Sequence, residues 1–112
     1  MTLTITPFEQ RVTVVVEGDI VADSTRALLL QERGVPIPRY YLPRDDVRMD
    51  LLEPTDTSTR CSRKGAASYW TVRIGETVHP DLAWSYEEPI PGAEAIAGLL
   101  CFYNERAEIK IG

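Results

Sequence analysis

Cys61-Ser62-Arg63-Lys64-Gly65-Ala66-Ala67-Ser68-Tyr69-Trp70, running on through Thr71-Val72-Arg73-Ile74 to Gly75, is the stretch from which the rest of the chain is read. From Gly65 onward the residues alternate between two faces. Ala66, Ser68, Trp70, Val72 and Ile74 fall on one, and Ala67, Tyr69, Thr71 and Arg73 on the other. Period two, with aromatic and β-branched side chains, fits a pleated surface and predicts a strand over 65–74. Gly75-Glu76 is the turn that ends it. Ahead of the strand lie a thiol, two cations and a glycine, so the same stretch carries the first candidates for a site.

Toward the N-terminus, Glu53 to Arg60 has no apolar residue and predicts a loop delivering the chain to Cys61. Val47 to Leu52 alternates, with Val47, Met49 and Leu51 on one face and Arg48 and Asp50 on the other, and predicts a strand. Arg44-Asp45-Asp46 is a polar turn. Arg39-Tyr40-Tyr41-Leu42 is extended, and its flanking prolines predict a short segment rather than a long central strand. Ala27 to Glu32 is too short for a helix before Gly34, Pro36 and Pro38, so it predicts a strand, with Ser24-Thr25 as the turn before it. Arg11 to Glu17 and Ile20 to Asp23 predict a hairpin across Gly18-Asp19, with Gly18 supplying a positive φ. Thr2 to Thr6 predicts a half-buried strand ended by Pro7.

Toward the C-terminus, Thr77 to Leu82 reads as irregular, and Ala83 to Tyr86 as a short strand with Trp84 and Tyr86 on one side. Pro89, Pro91 and Gly92 break the chain. Residues 93–97 hold good helix formers and predict at most a short helix. Leu99 to Tyr103 reads as a buried strand carrying Cys101 into the core, and 108–111 as a strand at a sheet edge. The sum is a mainly β chain of many short strands, without repeats or a linker.

Composition bounds the function. The 112 residues are 44% hydrophobic and 26% charged, as in a single ordinary globular domain spanning 1–112. A net charge of -5 argues against a nucleic-acid or anionic-membrane partner, because counterion release needs a basic face. The N-terminus shows no basic region followed by an apolar run, and a cytoplasmic location is the expectation. Cys61 and Cys101 then read as two reduced thiols.

Val21-Ala22-Asp23-Ser24, Tyr41-Leu42-Pro43-Arg44-Asp45-Asp46-Val47, Cys61 followed by Lys64-Gly65-Ala66-Ala67-Ser68-Tyr69-Trp70, Ala83-Trp84-Ser85-Tyr86 with Pro89, and Ile96 leading to Phe102-Tyr103 occur in an order that resembles the domain-of-unknown-function family numbered 427. The resemblance runs from about residue 11 to 106. It implies a β-tent fold, two antiparallel sheets leaning together over a ligand-sized cleft, in broad outline like methionine sulfoxide reductase B and the ligand-binding domain of cereblon. It implies no established activity. The family is sometimes labelled nucleotidyltransferase, but this chain has no Gly-rich phosphate loop, and Asp45-Asp46 alone is weak for the paired carboxylates such an enzyme needs for magnesium. Where the family usually has Cys-Pro and an aromatic before Lys-Gly, this chain has Cys61-Ser62-Arg63, which adds a cation beside Lys64. Zinc-bearing β-tents use two Cys-x-x-Cys pairs, and with two cysteines and one histidine this chain cannot supply four soft ligands. No metal and no cofactor is expected.

Trp70, Trp84 and Tyr86 form the strongest constellation, as flat walls for a ring, a sugar or a cation, against the plainer reading of core packing. Lys64 and Arg48 are the polar contacts, with Tyr69 and Cys61 beside them. A nucleophilic Cys61 has cations near it, yet the lone histidine, His79, stands before Pro80 with no spacing that makes it a base. Asp45, Asp46 and Asp50 with Arg48 read as turn caps and ion pairs before they read as metal ligands. The leading expectation is therefore a soluble domain that binds a small molecule, whether sugar, aromatic or nucleotide-like, in an aromatic-lined cleft. The alternatives are a small enzyme using Cys61 or Lys64, and a protein-interaction module.

Overall fold

The computed structural model describes residues 3–112, and these form ten strands. They are β1 (Leu3–Pro7), β2 (Val12–Val16), β3 (Asp19–Ser24), β4 (Leu28–Glu32), β5 (Val35–Leu42), β6 (Leu52–Cys61), β7 (Gly65–Ile74), β8 (Thr77–Ser85), β9 (Leu100–Phe102) and β10 (Glu108–Ile111). A seven-stranded antiparallel sheet runs β1-β4-β5-β9-β8-β7-β6, and a three-stranded one runs β10-β2-β3. The chain is mainly β, in two antiparallel sheets, as its alternation predicts. Residues 93–97 supply only a single 3₁₀ turn, Glu94–Ile96. No helix among the described residues is long and apolar enough to cross a membrane.

The register of the large sheet sorts its side chains. Tyr41 pairs with Cys101, Cys101 with Trp84, and Trp84 with Tyr69, so one row across β5, β9, β8 and β7 points to one face. The neighbouring row, Leu42 with Leu100, Phe102 with Ala83 and Ala83 with Trp70, points to the other. The second row meets Val12, Val14, Val16, Val21 and Ala22 of the small sheet in a closed apolar core. Burial of this kind stabilises by roughly 25 cal/mol per Å² of apolar surface removed from water. The first row builds a separate cluster with Leu30, Ala67, Tyr86, Ala93 and Ile96.

That cluster exists because the large sheet curves over itself. Four strand spacings, about 19 Å in a flat sheet, separate β4 from β7. Yet Glu32 at the end of β4 meets Lys64, just before β7, at 2.5 Å. The twist of the sheet brings its two arms face to face around the aromatic row.

Several expectations are corrected. Residues 53–60 are not a loop: they lie within β6, an edge strand exposed on most of its length and bulged between Pro54 and Ser58. A strand wet on both faces needs no apolar alternation, and its threonines supply the branched side chains. Val47 to Leu51 is not a strand but an isolated bridge from Val47 to Ala22 followed by a 3₁₀ turn, Met49–Leu51, and only Leu52 of the expected strand is one, as the start of β6. β5 is longer than its prolines suggest, because only Tyr41 pairs on both sides, with Leu28 and with Cys101. Thr77 to Leu82 belongs to β8, and its irregularity is a bulge opposite Thr71 where Asp81 takes a φ of 50°. The β2–β3 turn is Glu17-Gly18, with φ of 52° and 79°, one residue earlier than expected. Thr2, where the first strand was expected to begin, lies outside the described residues.

Candidate functional site

The facing arms of the large sheet leave a cavity of about 190 Å³. Trp84 and Tyr86 of β8, Tyr69 of β7 and Tyr103 after β9 form its rings. Leu30, Val35 and Ile37 form its aliphatic side, and Glu32, Arg39 and Lys64 its charged groups. Strand alternation explains the lining, since Arg39 lies two residues from Tyr41, Tyr86 two from Trp84, and Tyr103 two from Cys101. Tyr41 and Cys101, wholly buried, are the floor on which these rings stand.

Each ring is held by a specific contact. Trp84 donates its indole N–H to the Tyr41 hydroxyl at 3.2 Å and leans on Tyr103 at 4.5 Å between centroids. The Tyr69 hydroxyl meets Thr59 Oγ1 at 2.9 Å. Arg39 lies over both Trp84 and Tyr103, 5.1 and 5.5 Å from the ring centres, and Lys64 lies 5.7 Å from that of Tyr86. The two cations are anchored differently. Arg39 donates to Asn104 at 3.1 Å and to both carboxylate oxygens of Glu105. Lys64 shares the Glu32 carboxylate with Arg63, whose Nη1 lies at 2.9 Å from it.

Titration follows from this packing. Burial pushes the Tyr41 and Tyr86 phenols well above their ordinary value, and burial with a hydrogen bond to Tyr69 pushes Tyr103 up to about 12. The hydrogen bond from Arg39 holds the Glu105 carboxyl below its usual range. Burial also raises the Cys101 thiol, which makes it a packing residue and not a thiolate nucleophile at neutral pH.

Of the residues the sequence singles out, Lys64, Tyr69, Trp84 and Tyr86 meet in the cavity, and Cys61 packs beside them against the same cluster. Trp70 and Arg48 do not. Trp70 is one residue from Tyr69 on a pleated strand, so it faces the opposite core, where Arg44 stacks 5.1 Å from its ring centre. Arg48 is exposed and pairs with Asp50 at 2.8 Å, beside a different recess. Asp46 accepts hydrogen bonds from Ser24 and Arg26, so the Asp-rich turn is a latch between segments. Cys61 lies opposite Gly65 and His79 opposite Val72 on the same β7, seven residues or about 23 Å along the strand. No imidazole base reaches the thiol. Glu32 and Tyr103 are pocket residues that the sequence reading passes over.

Lys64-Gly65 has a further task. Ile90 donates its N–H to the Lys64 carbonyl at 3.0 Å, and a Cβ on Gly65, whose φ is 114°, would stand 3.3 Å from that nitrogen. The glycine lets the 88–90 segment close against the turn that carries Lys64. A wider depression of about 560 Å³ beside it, lined by Arg60, Ala66, Ser68, Glu87 and Glu88 among others, offers no ring face and lies open to solvent. The smaller, ring-lined cavity is the better candidate, because a ligand gains most from apolar and aromatic walls with a few placed polar groups.

A family model described as a domain of unknown function (DUF427) matches residues 4–111. No curated protein matches the chain significantly.

Proposed function

The chain belongs to the DUF427 family of domains of unknown function, and we propose that it binds a small ring-bearing molecule in the cavity beneath Trp84. The observation that carries this reading is the convergence of Trp84, Tyr86, Tyr69 and Tyr103 on one cavity, with charged groups at its margin. Rings converging on one cavity offer flat apolar walls to a ring-shaped ligand, and the charged groups beside them offer it polar contacts. In this reading the two arms of the curved sheet are the sides of a β-tent, and the cavity is the space under its ridge.

Size limits the ligand. A cavity of about 150 Å³ accommodates benzene, so about 190 Å³ holds one ring with a short substituent. Among sugars, aromatics and nucleotide-like ligands, the fit is to a single sugar, a single aromatic ring or one base, with the remainder of anything larger projecting outward.

The two tryptophans make a direct test, because they lie on opposite faces of the large sheet. Titration with single-ring aromatics and monosaccharides should change the intrinsic fluorescence. Trp84→Phe should abolish that response, and Trp70→Phe should retain it. A response that persists in Trp84→Phe, or no response to any ring, rejects the cavity as the site.

A further inference from the structure

We infer that the outer edge of β6 is a self-association surface, at which a second copy of this chain adds its own β6 antiparallel about Ser58. This surface is separate from the ring-lined cavity, and its partner is set by the order of charges along one strand.

β6 offers the longest open edge among the described residues. The other edge of the large sheet is β1, five residues ended by Pro7. The small sheet ends in the four residues of β10 and in β3, where Val47 bridges Ala22 and Arg48 donates its N–H to the Val21 carbonyl at 2.8 Å. β6 runs ten residues, most of them exposed, with β7 on one side only. An open edge presents backbone donors and acceptors to another chain, and strands are added there.

Which of its groups are open follows from the turn. The Cys61 carbonyl accepts the Lys64 N–H at 3.3 Å, so it points to the β7 side. In an antiparallel ladder successive residues direct their backbone groups to opposite sides. Thr59 therefore also faces β7, and Ser58 and Arg60 face the open edge. Ser58 to Cys61 keep regular register with β7, so the bulge that precedes them does not close this half of the strand.

The side chains alternate as well. Thr59 meets the Tyr69 hydroxyl, and Thr55 and Thr57 donate to the Asp81 carboxylate at 2.7 and 2.6 Å, so this row is engaged within the chain. Asp56, Ser58 and Arg60 form the other row. Among the described residues the Asp56 and Arg60 side chains have no ion pair. Glu87 and Glu88 line the same depression as Arg60, yet Glu87 pairs with Arg44.

That row specifies a second copy. Residues 56–60 read Asp-Thr-Ser-Thr-Arg. Set antiparallel about Ser58, they place Asp56 opposite Arg60 of the second copy and Arg60 opposite its Asp56, with Thr57 opposite Thr59 between them. Opposite charges and threonine pairs across strands stabilise, and like charges directly opposite destabilise. A parallel copy would set Asp56 beside Asp56 and Arg60 beside Arg60. Sliding the antiparallel pair by two residues loses both charge pairs, so the charges also hold the register. The contact is isologous and closes as a dimer.

Sedimentation velocity of the full chain over a concentration series is the test, and it should show a monomer–dimer equilibrium. Asp56→Arg and Arg60→Asp each put like charges at both ends of the pairing, and each alone should weaken the dimer by about tenfold. An equimolar mixture of the two variants should regain it, since every arginine then faces an aspartate. Ser58→Pro removes an outward N–H, which an edge strand tolerates, and should leave a monomer whose far-UV circular dichroism is unchanged. A chain that stays monomeric, a dimer undiminished in the single variants, or variants that do not recover on mixing overturns the inference.

Discussion

The two faces of the seven-stranded sheet are built from adjacent residues and end up unlike. On one, Leu42, Trp70, Val72, Ala83, Leu100 and Phe102 meet the valines of the small sheet, and the interface is closed. On the other, Tyr41, Tyr69, Trp84 and Cys101 are covered by the sheet's own curvature and by Ala93 and Ile96, and a ring-lined gap is left. A second sheet can be matched to a first residue by residue, as in any sandwich. A sheet folding over itself must bring distant strand ends together, and here the charged pair of Lys64 with Glu32 does so. That pair, with Arg39 of β5 and Glu105 after the neighbouring β9, supplies the polar chemistry of the candidate site.

The largest expected effect separates the faces by cavity cost. Trp70 and Trp84 are almost equally buried, at 7% and 6% exposure, so their transfer terms are close. Trp70→Ala leaves a void in a closed core and should cost about 3–5 kcal/mol in urea denaturation. Trp84→Ala opens onto a cavity that water already reaches, so the void term shrinks and the loss should fall below that of Trp70→Ala. Equal losses would break the contrast between a closed and an open face.

Alkaline pH probes the open face alone. Tyr41, Tyr86 and Tyr103 all have phenols raised above their ordinary value of 10.0 by burial, Tyr103 to about 12. A group whose pKa is higher folded than unfolded contributes stability that is whole below the unfolded value and lost as pH rises through the folded one. Stability should therefore fall from about pH 10 upward, and part of the tyrosinate absorbance should appear only with unfolding. The double variant Tyr86→Phe, Tyr103→Phe should flatten this decline. An unchanged decline would place its origin elsewhere in the fold.

How far the sequence exposes this arrangement depends on what each strand faces. β7, the buried Ala83–Ser85 end of β8, and β9 are legible, and alternation then separates Tyr69 from Trp70 and Cys101 from Phe102, whereas the more exposed start of β8 reads as irregular. β6 is illegible as a strand because both its faces are wet, and period two in hydrophobicity vanishes where neither side is core. Val47 to Leu52 misleads in the other direction, since alternation over six residues also fits a chain that bridges once and then turns. In the site, Trp84, Tyr86 and Lys64 are legible as residue types. Tyr69 rather than Trp70 joins them because cross-strand register, not side-chain size, assigns the face. Tyr103 and Arg39 were within reach of the pattern, each two residues from a buried member of the aromatic row. Glu32 was not, because its pairing with Lys64 depends on curvature that no local period encodes.

The smallest effect concerns a flaw on the closed side. Ser85 sits between Trp84 and Tyr86 and so turns away from the aromatic row, fully buried opposite Ser68. Its hydroxyl has no hydrogen-bond partner among the described residues. A buried hydroxyl without a partner carries a desolvation cost of about 1–3 kcal/mol, and an alanine of nearly the same volume removes it. Ser85→Ala should therefore raise stability by about 1 kcal/mol, the rest being offset by the small void left by the oxygen. The gain should appear as a higher urea midpoint at unchanged slope, since the surface exposed on unfolding barely changes. It should leave ring binding unaltered, because the hydroxyl faces away from the cavity. A drop in stability would mean that the hydroxyl is satisfied in solution and that the closed face is wetter than its packing indicates.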